Sequence, residues 1–247
     1  MDPLLLIHGT GCDAAAFDSL VPLLSPRYRV IAYDRRGYGR PHSAHAADAL
    51  AILDERAPGE AAFVVGWSAG AIVALELASL HPSRVRGLVL LEPPLWAKTA
   101  FAPALMLAMV RVAWNTLRKR PREAAAAFFR TVTRYRDGGN GFDKLDPALR
   151  ERMLGHADEV LAELRAGTGE ALTPARLGAI RCPTTLVLGD RSLPMFAQQG
   201  AKLAAVMPSL RTVTVEGASH LMMLERPEPV ADAIIAADTA PRSSAAG

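Results

Sequence analysis

Gly66-Trp67-Ser68-Ala69-Gly70 sets a serine between two glycines, and the flanking residues decide whether that serine can do chemistry. The apolar run Ala61 to Val65 reads as a buried strand, and Ala71 to Ala78 reads as a helix. A turn from strand straight into helix is tight, so its apex residue, Ser68, is forced into a strained backbone conformation with its side chain pointing outward. Glycine on both sides lets the strand and helix backbones nearly touch. In that context G-x-S-x-G is the pattern of a serine nucleophile; without the strand and helix it would be a small-residue loop with no chemistry. A serine hydroxyl attacks only when a base accepts its proton and an acid holds that base in one tautomer. His220 is the only histidine late in the chain and stands where a final strand ends, so it is the expected base.

The elements that must position these groups alternate along the chain. Leu4 to Ile7 is a continuous apolar run, as expected of a strand buried on both faces, and His8-Gly9-Thr10-Gly11 follows it. Asp13 to Leu24 reads as a helix, Tyr28 to Tyr33 as a strand and Ala46 to Arg56 as a helix, with Pro58-Gly59 as the break. His42 and His45, in a loop or the first helical turn ahead of that helix, read as ordinary exposed histidines. After the serine turn, Val85 to Leu91 is a further buried strand that delivers Glu92-Pro93-Pro94. Strand and helix in alternation imply a mostly parallel, doubly wound α/β sheet. In open sheets of this kind ligands bind beyond the carboxyl ends of the strands, where Thr10, Ser68 and Glu92 all fall.

From Leu95 to about Ala175 the strand signal stops, and helices are expected at Phe101 to Arg118, Arg122 to Tyr135 and Pro147 to Arg165. Met106, Met109, Trp114, Phe128 and Phe129 on these helices could line an apolar pocket, although for any one of them packing the helices together is the preferred reading. Strands return at Thr184 to Leu188 and Arg211 to Val215, separated by a helix from Pro194 to Met207. A closing helix spans Pro227 to Ala237.

Taken together these motifs resemble the α/β-hydrolase superfamily, in particular a serine hydrolase with a helical cap. The resemblance implies a core of residues 1–94 and 176–238, a cap inserted at 95–175 and a disordered tail at 239–247. It implies that Thr10, after His8-Gly9, and Ala69, after the nucleophile, donate backbone N–H groups to an oxyanion hole. His8 is then a structural residue that holds its loop by hydrogen bonding, and Cys12 a wall residue near the mouth of the site. Asp34-Arg35-Arg36-Gly37-Tyr38-Gly39 looks like the family's D-x-R-G-x-G turn, whose Asp and Arg brace neighbouring loops. In the family's commonest arrangement the acid follows the penultimate strand in a G-x-x-D pattern, but Ser192 occupies that register and Asp190 falls two residues early. The other known location is the end of the strand after the serine turn, where Glu92 stands. An acidic side chain ending a buried strand needs a partner to offset its desolvation, which favours Glu92 over Asp190. The family's core opens with a two-strand hairpin for which this chain has only a few residues, so either the sheet is reduced to six strands or the assigned start is late.

Composition narrows the rest. A chain of 247 residues, half of them hydrophobic and 21% charged, fits one large domain or a core with an insertion. The +3 charge is spread out apart from Arg118-Lys119-Arg120, so no nucleic-acid partner is expected. Cys12 and Cys182 lie far apart without metal-ligand spacing, and neither a metal nor a cofactor is implied. The start carries no basic stretch and only a short apolar run, and no segment approaches the ~20 apolar residues of a membrane span. The expectation is a cytoplasmic enzyme without a cofactor, acting on a small-molecule substrate with an ester, thioester, lactone or related acyl bond. A carbon–carbon bond hydrolase with the same triad, or a ligand-binding member without catalysis, are the alternatives.

Overall fold

Alternate residues of the central strands point to opposite sides, and both sides are apolar. In the computed structural model, Asp2–Ile7 forms β1, with Leu4 and Leu6 in one buried cluster and Leu5 and Ile7 in another. That is why the strand reads as an unbroken apolar run: each face has its own layer of helices to meet. The structure describes residues 1–36, 42–95, 103–166, 171–207 and 210–239, and of 42, 43, 103–105 and 108 the backbone alone. Gly37, Tyr38 and Gly39 of the expected D-x-R-G-x-G turn, and residues 240–247, lie outside it.

After β1 the chain makes a 3-10 turn at Ala14–Phe17, capped by the Asp13 side chain on the Ala15 N–H, and a short helix α1, Val21–Leu24. The single helix expected from Asp13 to Leu24 is therefore two pieces, divided where Pro22 lacks the N–H a continuous helix would use. Then come β2 (Tyr28–Ala32), α2 (His42–Arg56), β3 (Ala62–Trp67), α3 (Ala69–Leu80) and β4 (Val85–Leu91). His45 corrects the expectation of an exposed histidine: α2 turns it inward, and it is buried.

Between β4 and β5 the described chain is helical: α4 (Pro103–Leu117), α5 (Pro121–Val132), α6 (Pro147–Gly155), α7 (Ala157–Ala166) and α8 (Pro174–Gly178). The helix expected from Pro147 to Arg165 breaks at His156, whose N–H turns back to the Met153 carbonyl and ends α6. The remaining elements are β5 (Thr184–Gly189), α9 (Pro194–Val206), β6 (Leu210–Val215), α10 (Met222–Glu225) and α11 (Pro227–Thr239). Thr239 is thus the last residue of a helix.

The six strands among the described residues are all parallel, in the order β2-β1-β3-β4-β5-β6. Residues of α2, α3 and α9 cover one face; residues of α1 and α11, and beyond the strand ends α5, α6 and α7, join the cluster on the other. The order reverses at β1, which lies between β2 and β3. Such a reversal leaves a crevice at the carboxyl edge, because the connections from neighbouring strands depart to opposite faces. None of the described helices is long and apolar enough to cross a membrane.

Candidate active site

Ser68 sits where β3 stops and α3 begins, with φ 54° and ψ −123°, in a region that a residue with a Cβ enters only under strain. Its N–H is tied to the Leu91 carbonyl of β4 at 2.9 Å. The two glycines are needed, but for different neighbours. A Cβ on Gly66 would come within 2.5 Å of the Ala71 Cα, so this glycine lets strand and helix meet. A Cβ on Gly70 would lie 2.1 Å from the Ile7 carbonyl oxygen, so this one lets α3 meet the end of β1.

His220, in the loop after β6, reaches the serine across 152 positions of sequence. Its Nε2 lies 3.1 Å from Ser68 Oγ, and its Nδ1 lies 2.7 Å from Glu92 Oε2. Glu92 follows β4 and is fully buried, with φ 48°. Its second oxygen accepts the Gly189 N–H at 2.8 Å, so both carboxylate oxygens have donors. A carboxylate facing Nδ1 leaves the Nε2 lone pair for the serine hydroxyl, the orientation in which a histidine can take that proton. Asp190 is elsewhere engaged: its Oδ1 accepts the Gly217 N–H at 2.8 Å and braces the turn that follows β6. Ser192 is buried against Gly189, where a Cβ on that glycine would come within 3.0 Å of its Oγ.

Several residues that hold this histidine carry no motif. The Phe196 ring stacks on the imidazole at 4.3 Å and 14°, and Trp67 donates from Nε1 to the His220 carbonyl at 2.8 Å. The Ser219 N–H and hydroxyl both donate to Glu225, at 2.7 and 3.0 Å, and the Tyr135 hydroxyl donates to the same carboxylate at 2.8 Å. Burial and that carboxylate push the Tyr135 phenol up to about 12. Trp67, Tyr135 and Phe196 are distant from His220 in sequence, and of these only Trp67, inside the serine motif, stands near a recognisable signal.

Thr10 lies in the loop after β1, beside the serine: a Cβ on Gly9 would come 3.0 Å from Ser68 Cβ. Ala69 is the first residue of α3, and N–H groups in the first turn of a helix have no intrahelical acceptor. His8 holds the Thr10 loop in place, with Nδ1 2.9 Å from the Gly9 carbonyl and Nε2 accepting the Arg35 N–H at 2.9 Å. Burial pushes its pKa down to about 3, which keeps it neutral. Asp34 accepts the Ala14 N–H at 2.8 Å. Of the two following arginines it is Arg35 that braces: it donates to the His8 carbonyl at 3.2 Å and pairs with Glu163 of α7, both side chains being buried. Arg36, at the arginine position of the expected motif, is 80% exposed and reaches Asp48 of α2 at 3.7 Å.

Thr10, Ser68 and His220 border a cavity of about 20 Å³ whose other walls include Phe128, Phe129, Met153 and Leu221. Met106 and Trp114 do not line it and are corrected: both are exposed on α4, Trp114 at 54%, while α4 turns Val112 inward against α5 and α7. Met109 lies apart from the serine as well, but borders an apolar groove with Val112, Leu161 and Leu164 between α4 and α7. Cys12 borders a neighbouring cavity, its thiol pushed up by burial. Among the described residues no cluster of His, Cys, Asp and Glu could hold a metal ion.

A family model described as the alpha/beta hydrolase family matches residues 4–233. The chain is similar to a pimeloyl-[acyl-carrier protein] methyl ester esterase of Edwardsiella ictaluri, at 28% identity over 94% of this chain and 91% of that protein. Among solved structures, an alpha/beta hydrolase from Sphaerobacter thermophilus superposes with a TM-score of 0.76 at 24% identity, covering 96% of this chain and 93% of that one. A carboxylesterase from Bacillus subtilis does so with a TM-score of 0.72 at 21% identity, covering 96% and 84%.

Proposed function

We propose that this chain, which belongs to the alpha/beta hydrolase family, is a serine hydrolase that opens an ester, thioester, lactone or related acyl bond through an acyl-enzyme on Ser68. The observation that carries this reading is the unbroken line from Ser68 Oγ through His220 to a fully buried Glu92. Ser68 Oγ attacks the carbonyl carbon while His220 Nε2 takes its proton. The carbonyl oxygen becomes an oxyanion that Thr10 and Ala69 meet with their backbone N–H groups. As the tetrahedral adduct collapses, His220 returns the proton to the departing alcohol or thiol. A water molecule, activated by the same nitrogen, then releases the acid and restores the serine. Glu92 holds Nδ1–H and balances the imidazolium formed in each half-reaction. No cofactor or metal takes part in these steps.

The helices of residues 95–175 act as a cap over the core of 1–94 and 176–238. The substrate is small to medium and largely apolar, since Phe128, Phe129, Met153 and Leu221 border the cavity at the serine. The esterase names of the relatives support an ester as the bond. Ser68→Ala is expected to abolish turnover of p-nitrophenyl esters and labelling by a fluorophosphonate, with kcat lowered by ~10⁴ or more, while the protein stays folded. Undiminished activity in that variant would end the serine mechanism. A strong preference for charged acyl groups would overturn the substrate class.

A further inference from the structure

The cavity at Ser68 has a neighbour. It is bordered by Gly11, Cys12, Ala16, Leu149 and Leu224, with Arg152, Asp13 and His156 at its rim, and measures about 10 Å³. The cavity at the serine measures about 20 Å³. Each has room for about one water molecule, far too little for an acyl chain. Three residues border both spaces: Trp67, Met153 and Leu221. They form the wall between them.

Two parts of that wall are fixed by the site itself. Trp67 is locked by its hydrogen bond to the His220 carbonyl, and it directly precedes Ser68. Leu221 directly follows His220, and its carbonyl accepts the N–H groups of Leu224 and Glu225, which roots it in α10. Moving either would displace the serine or the histidine. Met153 is tied through its backbone, its carbonyl accepting the His156 N–H, while its side chain is held by packing. It belongs to α6, whose other side chains are half-buried or exposed, so it is the one side chain that this helix buries. An unbranched thioether side chain changes rotamer easily and tolerates a changed neighbourhood.

We infer that Met153 is a movable partition, and that the space beyond it is a subsite for the distal part of an unbranched apolar chain on the substrate. With Met153 inward the site takes only a short group. With Met153 displaced, the two spaces join into one slot running from Ser68 past Trp67 towards Cys12. The occupant is apolar because the walls of the second space are: Cys12, Ala16, Leu149 and Leu224 offer no buried charge, and burial holds the Cys12 thiol neutral. The charges at the rim face each other, with Arg152 Nε 3.5 Å from Asp13 Oδ2.

The inference rests on the serine-esterase reading and is tested by a quantity that the reading alone does not fix. kcat/KM is measured for p-nitrophenyl acetate, butyrate, hexanoate, octanoate and decanoate, and for methyl to octyl butyrates, in wild type, Met153→Ala and Met153→Phe. Met153→Ala is expected to raise the ratio of long to short chains by about tenfold in one of the two series, and Met153→Phe to lower it. The responding series tells whether the acyl or the alcohol side enters the slot. Because each ratio is taken within one preparation, a partly unfolded variant does not distort it. Ratios unchanged in both variants and both series would overturn the partition while leaving the serine mechanism intact. Absence of Ser68-dependent hydrolysis in the wild type would instead remove the reading beneath it, and the partition with it.

Discussion

Glu92 uses one carboxylate oxygen on His220 and the other on the Gly189 N–H, and this division fixes what a neutral replacement must do. In Glu92→Gln the amide oxygen suits Gly189, so its NH₂ faces Nδ1. The imidazole must then carry its proton on Nε2, where it can no longer accept from Ser68. We expect kcat to fall by about 10²–10⁴ with the fold retained. Asp190→Asn should leave kcat close to wild type, because an asparagine oxygen can still accept the Gly217 N–H. A crippled Asp190→Asn beside a healthy Glu92→Gln would reassign the acid. His8 makes a separate prediction at this scale, about acid stability. Its pKa is lowered to about 3 when folded, from an ordinary value near 6.5 when unfolded. Between those values the unfolded chain binds the extra proton, so the contribution of His8 is complete above pH ~6.5 and drains away as pH falls towards 3. By pH 4.5 that amounts to about 2–3 kcal/mol. His8→Gln should be less stable at neutral pH but lose less on acidification, as read from urea midpoints at pH 7.5 and 4.5; parallel losses would refute the assignment.

The serine turn depends on elements approaching without side chains between them, which makes glycine positions a test at the scale of strand and helix. Gly70→Ala would drive a Cβ to 2.1 Å from the Ile7 carbonyl oxygen and prise α3 from β1, at a cost of about 3 kcal/mol. Gly155→Ala, near the end of α6 with nothing within 4 Å of the added carbon, should instead stabilise by about 0.5 kcal/mol. Equal urea midpoints for the two variants would contradict this account of the turn. The same elements show what was legible beforehand. The strands could be read because a parallel sheet covered on both faces makes them continuously apolar, and β4 was placed residue for residue. Ser68 and His220 stood out through local signals, the glycines of the turn and the end of a strand. Register narrows the acid to Glu92 and Asp190, and the desolvation of a carboxylate at the end of a buried strand favours Glu92. What could not be read was whatever depended on orientation in space. Periodicity marks α4 as a helix but does not say that Trp114 faces outward. Nor does it show that Phe196 lies on the imidazole, a contact made across 24 positions of sequence. His45 looked like a surface residue because polarity, not the turn of α2, was the available cue.

At the scale of the molecule, α5, α6 and α7 are bound to the sheet edge where the site lies. A Cβ on Gly11 would meet Val160 of α7 and Phe129 of α5 within 2.6 Å, so the loop carrying Thr10 is pressed beneath both helices. Beside it the buried Arg35 reaches from the His8 carbonyl to Glu163 of α7, one charge from each side of the junction. Burial removes the hydration of both ions, and their attraction roughly replaces it. Such a pair adds little over an apolar substitute, yet breaking it strands a charge. Arg35→Met and Glu163→Leu are each expected to cost about 3–5 kcal/mol in chemical unfolding, whereas the double variant should cost less than either alone, since no buried charge is left over. Activity separates the two partners. Arg35 also holds the His8 carbonyl, so every variant lacking Arg35 should lose kcat even when stability is recovered, through a displaced Thr10 loop. Glu163→Leu keeps that hydrogen bond and should lose mainly stability. Strictly additive stability losses in this cycle would mean that the two charges do not depend on each other. Full kcat in the double variant would mean that the loop after β1 is positioned without help from the arginine.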